Sequence, residues 1–105
     1  MSVLVNFSMF PTDKTGSMSP YVAKIELAIR ATGYPSQLGS MSTVVETPTL
    51  PEALSVIEAA YKALEGCSRV YVNATLDIRT DRDNRMTSKV ASVEEKMAKL
   101  QVSTI

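Results

Sequence analysis

The segment Arg69–Arg79 places the strongest limit on what this chain can fold into. Apolar and polar side chains alternate along it without a break, and the apolar set is Val70, Val72, Ala74, Leu76 and Ile78. Because successive side chains of a β-strand point to opposite faces of a sheet, this alternation predicts a strand with one apolar and one polar face. The apolar face needs a cover, and we expect amphipathic helices elsewhere in the chain to supply it.

The first half of the chain contains the other strand signals and one helix. Alternation over Val3–Phe10 predicts a first strand, which Pro11 ends. Ser19 and Pro20 suit the N-cap and first position of a helix that runs to Thr32. Its apolar stripe holds Val22, Ile25, Ile29 and Thr32, with Glu26 off the stripe, and Gly33 caps its end. Gln37–Thr47 predicts a hairpin of two short strands or one bent strand, with a tight turn or bulge at Gly39.

Two further helices flank the strand Arg69–Arg79. The first begins at Thr49 or Pro51 and runs to Glu65, and we expect its apolar stripe to be Leu54, Ile57, Tyr61 and Leu64. The last helix runs from Thr87 to Leu100, with Val90, Val93, Met97 and Leu100 on one face.

The order of these elements is β-α-β-β-α-β followed by a C-terminal helix, within one domain that covers residues 1–105. This order predicts the α+β ferredoxin-like split βαβ sandwich. In that fold the first and last strands are neighbours, two helices cover one face of the sheet, and the other face stays open. An open sheet face commonly binds a partner, so we expect the protein to form a homo-oligomer.

Composition narrows the possible functions. Eleven basic and eleven acidic residues balance, so the chain lacks the positive charge that favours nucleic-acid binding. It has no histidine and only one cysteine, Cys67, which disfavours general-base, nucleophilic and metal chemistry. The N-terminal sequence does not resemble a signal peptide, and no apolar run is long enough for a membrane span. We therefore expect a cytoplasmic protein without a membrane partner, a metal, a cofactor or an enzymatic activity.

Several motifs resemble one known family when taken in their order along the chain. They are Phe10-Pro11, S-P-Y-V-A-K-I from Ser19, S-M-S-T-V-V-E from Ser40, R-V-Y-V from Arg69, L-D-I-R from Leu76, and S-K-V-A-S-V-E-E-K from Ser88. Together they resemble the small YkoF-like thiamine-binding proteins. The resemblance implies a ferredoxin-like homo-oligomer, a dimer or tetramer, that binds thiamine or its hydroxymethylpyrimidine part without catalysis. Two positions depart from that family, which usually has glycine where Ser42 stands and E-G where Glu46-Thr47 stands.

The predicted fold brings polar side chains together for such a ligand. If the first and last strands are adjacent, Asn6 and Ser8 share a face with Asn73 and the ring of Tyr71. A pyrimidine can stack on an aromatic ring and form hydrogen bonds at its edge. A carboxylate can accept from the amino group of a pyrimidine or offset a thiazolium charge. The predicted ligand-binding residues are therefore Asn6, Ser8, Thr43, Glu46 and Asn73. Thr43 and Glu46 lie three apart, so both reach one pocket only if a bulge intervenes.

Two alternatives remain open for the same surface. The polar sheet face could serve only for assembly, in a structural or interaction protein, or the chain could be an enzyme of the dimeric ferredoxin-like type. In addition, the basic cluster Arg79, Arg82, Arg85 and Lys89 could hold an anion near the start of the last helix, or could be a solvated loop.

Overall fold

A computed structural model describes residues 1–103 of the chain. It contains four strands and three helices, in the order predicted from the sequence. They are β1 (Ser2–Pro11), α1 (Ser19–Ala31), β2 (Ser36–Leu38), β3 (Thr43–Thr47), α2 (Leu50–Lys62), β4 (Val70–Arg79) and α3 (Arg85–Ser103). The β-α-β-β-α-β order with a C-terminal helix is therefore confirmed.

The four strands form one antiparallel sheet in the order β2-β3-β1-β4. β1 pairs with β4 along its whole length, from Ser2 opposite Arg79 to Pro11 opposite Val70. On its other side β1 pairs with β3, where Phe7 lies opposite Thr43 and Val3 opposite Thr47. The first and last strands are neighbours, as predicted, and β4 is an edge strand.

The core lies between the sheet and helices α1 and α2. Val3, Val5 and Phe7 of β1 are at most 2% exposed, and they point towards the two helices. We call this face the helix side of the sheet and the opposite one the open face. Burial of such side chains stabilises the fold by roughly 1.5–3 kcal/mol each. Because these three side chains belong to a central strand, both α1 and α2 pack against them on the helix side of the sheet.

The predicted limits and faces of α1 and α2 need three corrections. Helix α1 begins at Ser19, so Ser19 is inside the helix, and Met18 occupies the cap position without a side-chain bond. Glu26 lies on the buried face of α1, whereas the predicted stripe left it out. In α2 the buried stripe is Ala53, Val56 and Ala60, and the predicted Leu64 is buried just after the helix, whereas the predicted Leu54 and Tyr61 are more than half exposed. Because the small alanines occupy the side of α2 that faces the sheet, the helical period places Leu54 and Tyr61 on its outer side.

The predicted cover for the apolar face of β4 is absent from the described part of the chain. Val72, Leu76 and Ile78 face the helix side but remain 39–46% exposed. Helices α1 and α2 pack on β1 and β3, which are closer to the middle of the sheet. Helix α3 begins at the open face and is exposed from Thr87 to Gln101. Within residues 1–103, none of the helices is both long and apolar enough to span a bilayer.

Candidate functional site

A cavity of ≈ 270 Å³ lies on the helix side, where β1 ends and the β2–β3 hairpin turns. Its walls come from α1, from the end of β1, and from the hairpin loop between Leu38 and Thr43. The lining is mainly apolar and includes Phe7, Met9, Met18, Val22, Ile25 and Met41. Pockets for drug-sized ligands usually enclose about 300–1,000 Å³, so this cavity suits one small heterocycle.

The polar feature of the cavity is the pair Glu26 and Thr43. Both residues line it, and they are 8% and 5% exposed. The Thr43 hydroxyl donates a hydrogen bond of 2.5 Å to Oε1 of Glu26. A carboxylate offers about four acceptor positions, so this bond leaves Glu26 with acceptor capacity beyond the one that Thr43 uses. A carboxylate in an apolar cavity favours a ligand that brings hydrogen-bond donors or positive charge.

A tight turn at Gly39 shapes the outer wall of the cavity. The Gly39 amide donates to the Ser42 carbonyl at 2.9 Å, which closes the hairpin between β2 and β3. A Cβ atom built on Gly39 would lie only 2.9 Å from that same carbonyl oxygen. The turn therefore excludes any larger residue at this position without a backbone shift. Of the two predicted alternatives, the structure shows the turn, and the β3 register contains no bulge.

The predicted ligand-binding residues do not converge on one cavity. Thr43 lines the cavity described above, and Ser8 belongs to the part of β1 that forms its wall, although the alternation of β1 places the Ser8 side chain on the open face. Asn6 is exposed on the open face, where its Oδ1 accepts from Ser42 Oγ at 2.5 Å. Asn73 is exposed on the same face and lies opposite Ser8 in the sheet. Asn6, Ser8 and Asn73 thus share the open face as predicted, and their role towards a ligand stays a prediction.

Glu46 lies at the other end of the sheet, where it holds the start of α3. Its carboxylate accepts from Ser2 Oγ at 2.5 Å and from the backbone N–H groups of Arg85 and Met86 at 2.7 and 3.2 Å. Carboxylates are stabilised at helix N-termini because the first N–H groups lack partners within the helix. Since β3 is regular, Glu46 points away from Thr43, and the two residues do not share a pocket.

Arg85 completes this cluster of charged residues. It is 1% exposed, and its guanidinium donates to Asp77 Oδ2 at 2.7 Å, to the Ser2 carbonyl at 2.9 Å and to the Asp77 carbonyl. Lys89 also reaches Asp77, at 3.0 Å, and Arg79 pairs with Asp81 at 2.7 Å. The predicted basic cluster is thus largely neutralised, and Glu46 occupies the N-terminus of the helix in place of an external anion.

The contacts of these carboxylates shift their pKa values downwards. For Glu46 burial acts to raise the pKa, but the hydrogen bonds from Ser2, Arg85 and Met86 and the nearby Arg85 charge outweigh burial, so the pKa is below its usual value. The hydrogen bond from Lys89 and the charge of Arg85 lower the pKa of Asp77, although burial opposes them. Both groups are therefore arranged to be ionised at neutral pH.

Glu26 is the cavity residue that the sequence prediction missed. It follows Val22 by four residues and precedes Ile29 by three, so it occupies a position of the buried stripe. A charged residue on an apolar stripe was the available signal, because such residues are rarely buried without a partner or a function. Among the described residues, no group of three or more histidine, cysteine or acidic side chains could hold a metal ion.

Comparison with known proteins identifies the family. The family described as "Thiamine-binding protein" matches residues 5–94. The chain belongs to this family. An alignment with a UPF0045 protein of Mycobacterium bovis has 35% identity over 95 residues and covers 90% of this chain and 93% of that protein. The chain is 34% identical over 83 residues to a UPF0045 protein of Methanothermobacter thermautotrophicus, covering 77% and 84%.

Solved structures show the same fold. A hypothetical protein of Methanocaldococcus jannascii aligns with a TM-score of 0.77 and 28% identity, over 90% of this chain and 97% of that one. A protein of Thermotoga maritima that is assigned to thiamine biosynthesis or salvage aligns with a TM-score of 0.71 over 86% and 99% of the two chains. At 18% identity the latter supports the fold alone. The predicted membership of a thiamine-binding family is thus confirmed.

Proposed function

We propose that this protein binds thiamine or its hydroxymethylpyrimidine part without catalysing a reaction, and that it does so as a homo-oligomer. The observation that carries the proposal is the Glu26–Thr43 pair, a buried carboxylate in an apolar cavity of ≈ 270 Å³. Membership of the thiamine-binding family gives the ligand class. The cavity accepts one ring, so the pyrimidine enters it and the thiazolium part of thiamine extends towards the opening.

The chemistry of an aminopyrimidine matches this cavity. Its flat ring is apolar on both faces, which suits walls built from Phe7, Val22 and Met41. Its amino group donates hydrogen bonds, which the Glu26 carboxylate accepts. A hydrogen bond to a charged group is worth about 1.5–3 kcal/mol, so Glu26 supplies a large part of the affinity. Thr43 keeps the carboxylate in place through its 2.5 Å bond.

A second site on the open face has its own supporting observation. The rings of Phe10 and Tyr71 lie 5.5 Å apart on this face, and Asn73 and Ser8 lie beside them in register. These residues offer stacking and neutral hydrogen bonds to a pyrimidine, as the sequence predicted. The open face around the aromatic pair is exposed and lacks the enclosure of the cavity. For that reason we place the ligand beside Glu26.

Isothermal titration of hydroxymethylpyrimidine and of thiamine into three variants separates the two sites. Glu26→Gln keeps the shape and the Thr43 contact but removes the charge, so we expect affinity to fall about tenfold to a hundredfold. The matched control is Glu58→Gln on the exposed face of α2, which we expect to bind like the wild type. Asn73→Leu tests the open face. Unchanged affinity in Glu26→Gln together with lost binding in Asn73→Leu would move the site to the open face.

A further inference from the structure

A second cavity, of ≈ 350 Å³, lies between the end of β4, the loop that follows it and the first turns of α3. It is at the opposite end of the sheet from the Glu26 cavity, because Arg79 of its lining pairs with Ser2 at the start of β1. Its volume is within the usual range of small-molecule pockets. Four basic side chains line it, together with Ser88, Ser92 and Val93.

The donors in this lining come from three elements of the chain. On α3, Ser88, Lys89 and Ser92 follow Arg85 by three, four and seven residues, a spacing that places side chains on one side of a helix. The end of β4 and the loop after it supply the other two basic residues, Arg79 and Arg82. Strand, loop and helix therefore present hydrogen-bond donors to the same volume.

The carboxylates that pair with these cations are not part of the lining. Asp77 contacts Arg85 at 2.7 Å and Lys89 at 3.0 Å, and Asp81 contacts Arg79 at 2.7 Å. Neither carboxylate lines the cavity. An ammonium group has three donors and a guanidinium group has five, so Lys89 and Arg79 keep donors that their carboxylates do not use.

Three lining side chains have no hydrogen-bond partner within residues 1–103, namely Arg82, Ser88 and Ser92. Asp81 already accepts two hydrogen bonds from Arg79, and Arg82 acts on this carboxylate through its charge alone. The guanidinium of Arg82 and the two serine hydroxyls are thus available to a ligand that brings acceptors.

We propose that this cavity binds the phosphate group of a small molecule. A phosphate monoester carries between one and two negative charges at neutral pH and has three strong acceptor oxygens. The planar fork of Arg82 can donate to two of these oxygens, while Lys89 and the serine hydroxyls donate to the remaining acceptor positions. Glu46 already accepts from the first N–H groups of α3, so side chains hold the anion and the helix terminus does not.

The balance of charge and the shape of the cavity favour this class of ligand. The four lining cations have three carboxylate neighbours, Asp77, Asp81 and Glu46, so one positive charge is left without a partner. A phosphate group fills only part of ≈ 350 Å³, and the remaining space beside the half-exposed Val93 can hold an organic group. Free phosphate and a phosphate ester share the chemistry that the cavity recognises.

Isothermal titration of inorganic phosphate and of phenyl phosphate tests the site, with sodium chloride at matched ionic strength as the reference. We expect saturable binding of phosphate. Tighter binding of phenyl phosphate would identify an ester as the ligand, and equal or tighter binding of inorganic phosphate would identify the free anion. The site is independent of the ligand proposed for the Glu26 cavity, so it stands or falls separately from the proposed function.

Three variants locate the bound anion. Arg82→Gln removes a charged donor, and we expect the affinity for phosphate to fall about tenfold to a hundredfold. Ser92→Ala removes a neutral donor and should weaken binding about twofold to tenfold. The matched control is Lys62→Gln on α2, which removes an exposed positive charge outside the cavity and should bind like the wild type.

Two results would overturn the site. A response to phosphate no larger than the response to sodium chloride at the same ionic strength would show only a general effect of salt. Saturable binding that is unchanged in both Arg82→Gln and Ser92→Ala would place the anion elsewhere on the protein.

Discussion

Replacement of Arg85 by methionine tests how α3 is attached to the domain. Arg85 is 1% exposed, and its guanidinium forms hydrogen bonds with the side chain and carbonyl of Asp77 and with the carbonyl and hydroxyl of Ser2. Methionine keeps much of the apolar stem but removes every one of these donors. The buried Ser2 carbonyl and the Glu46 carboxylate then lose their compensating charge.

The expected magnitude follows from these contacts. Loss of one partner from a fully buried ion pair costs about 3–5 kcal/mol. Here Asp77 is half exposed and keeps Lys89, so water and that lysine compensate in part. We therefore expect Arg85→Met to lower the free energy of unfolding by about 2–3 kcal/mol, equivalent to a midpoint about 10–20 °C lower for a domain of this size.

Thermal unfolding followed by circular dichroism at a fixed protein concentration measures this effect, since self-association also raises the midpoint. The matched control is Arg82→Met in the adjacent loop, where the side chain is exposed and we expect little change. A midpoint of Arg85→Met within about 2 °C of the wild type would show that the buried network does not stabilise the fold.

Three further changes test separate parts of the structure. Acidification from pH 7 should destabilise the protein, because the folded-state pKa values of Glu46 and Asp77 are lowered. The stability that these carboxylates contribute is lost as the pH falls below about 4.5 and through those values. A thermal unfolding midpoint that stays constant between pH 7 and 3 would contradict this. Thr49→Ala removes the N-cap of α2, whose hydroxyl accepts a hydrogen bond from the Glu52 amide. We expect this change to lower the free energy of unfolding, measured in urea, by about 1 kcal/mol. The control Ser55→Ala on the exposed face should lower it by less than half of that. Ile29→Ala in the core should lower the free energy of unfolding by about 2–5 kcal/mol. The control Leu27→Ala, at a residue that is 67% exposed, should lower it by only about a few tenths of a kcal/mol. Equal effects would show that α1 packs on a different face.

The sequence predicted those parts of the fold that depend on local pattern. Alternation along Val3–Phe10 and Arg69–Arg79 depends only on neighbouring residues, so both strands were predicted correctly. Gly33 adopts a positive φ of 81° after α1, as expected for a helix-terminating glycine. These features require no knowledge of how the elements pack together.

The parts that the sequence did not predict depend on packing in three dimensions. The apolar face of β4 is exposed because β4 is an edge strand beyond the reach of α1 and α2, and alternation alone does not distinguish an edge strand from a central one. Glu46 holds the start of α3, a contact that spans 39 residues and that no local pattern predicts, and its role towards a ligand stays a prediction. Glu26 joins the cavity only because α1 places it opposite Thr43, the first residue of β3.

The location of the ligand is the central claim, and nuclear magnetic resonance tests it most directly. Hydroxymethylpyrimidine is titrated into isotope-labelled protein while the backbone amide shifts are followed. We predict saturable shifts that concentrate on the walls of the cavity, around Phe7–Phe10, Val22–Glu26 and Gly39–Thr43. Shifts that concentrate on Tyr71–Thr75 instead, or no saturable shifts with either hydroxymethylpyrimidine or thiamine, would contradict the account.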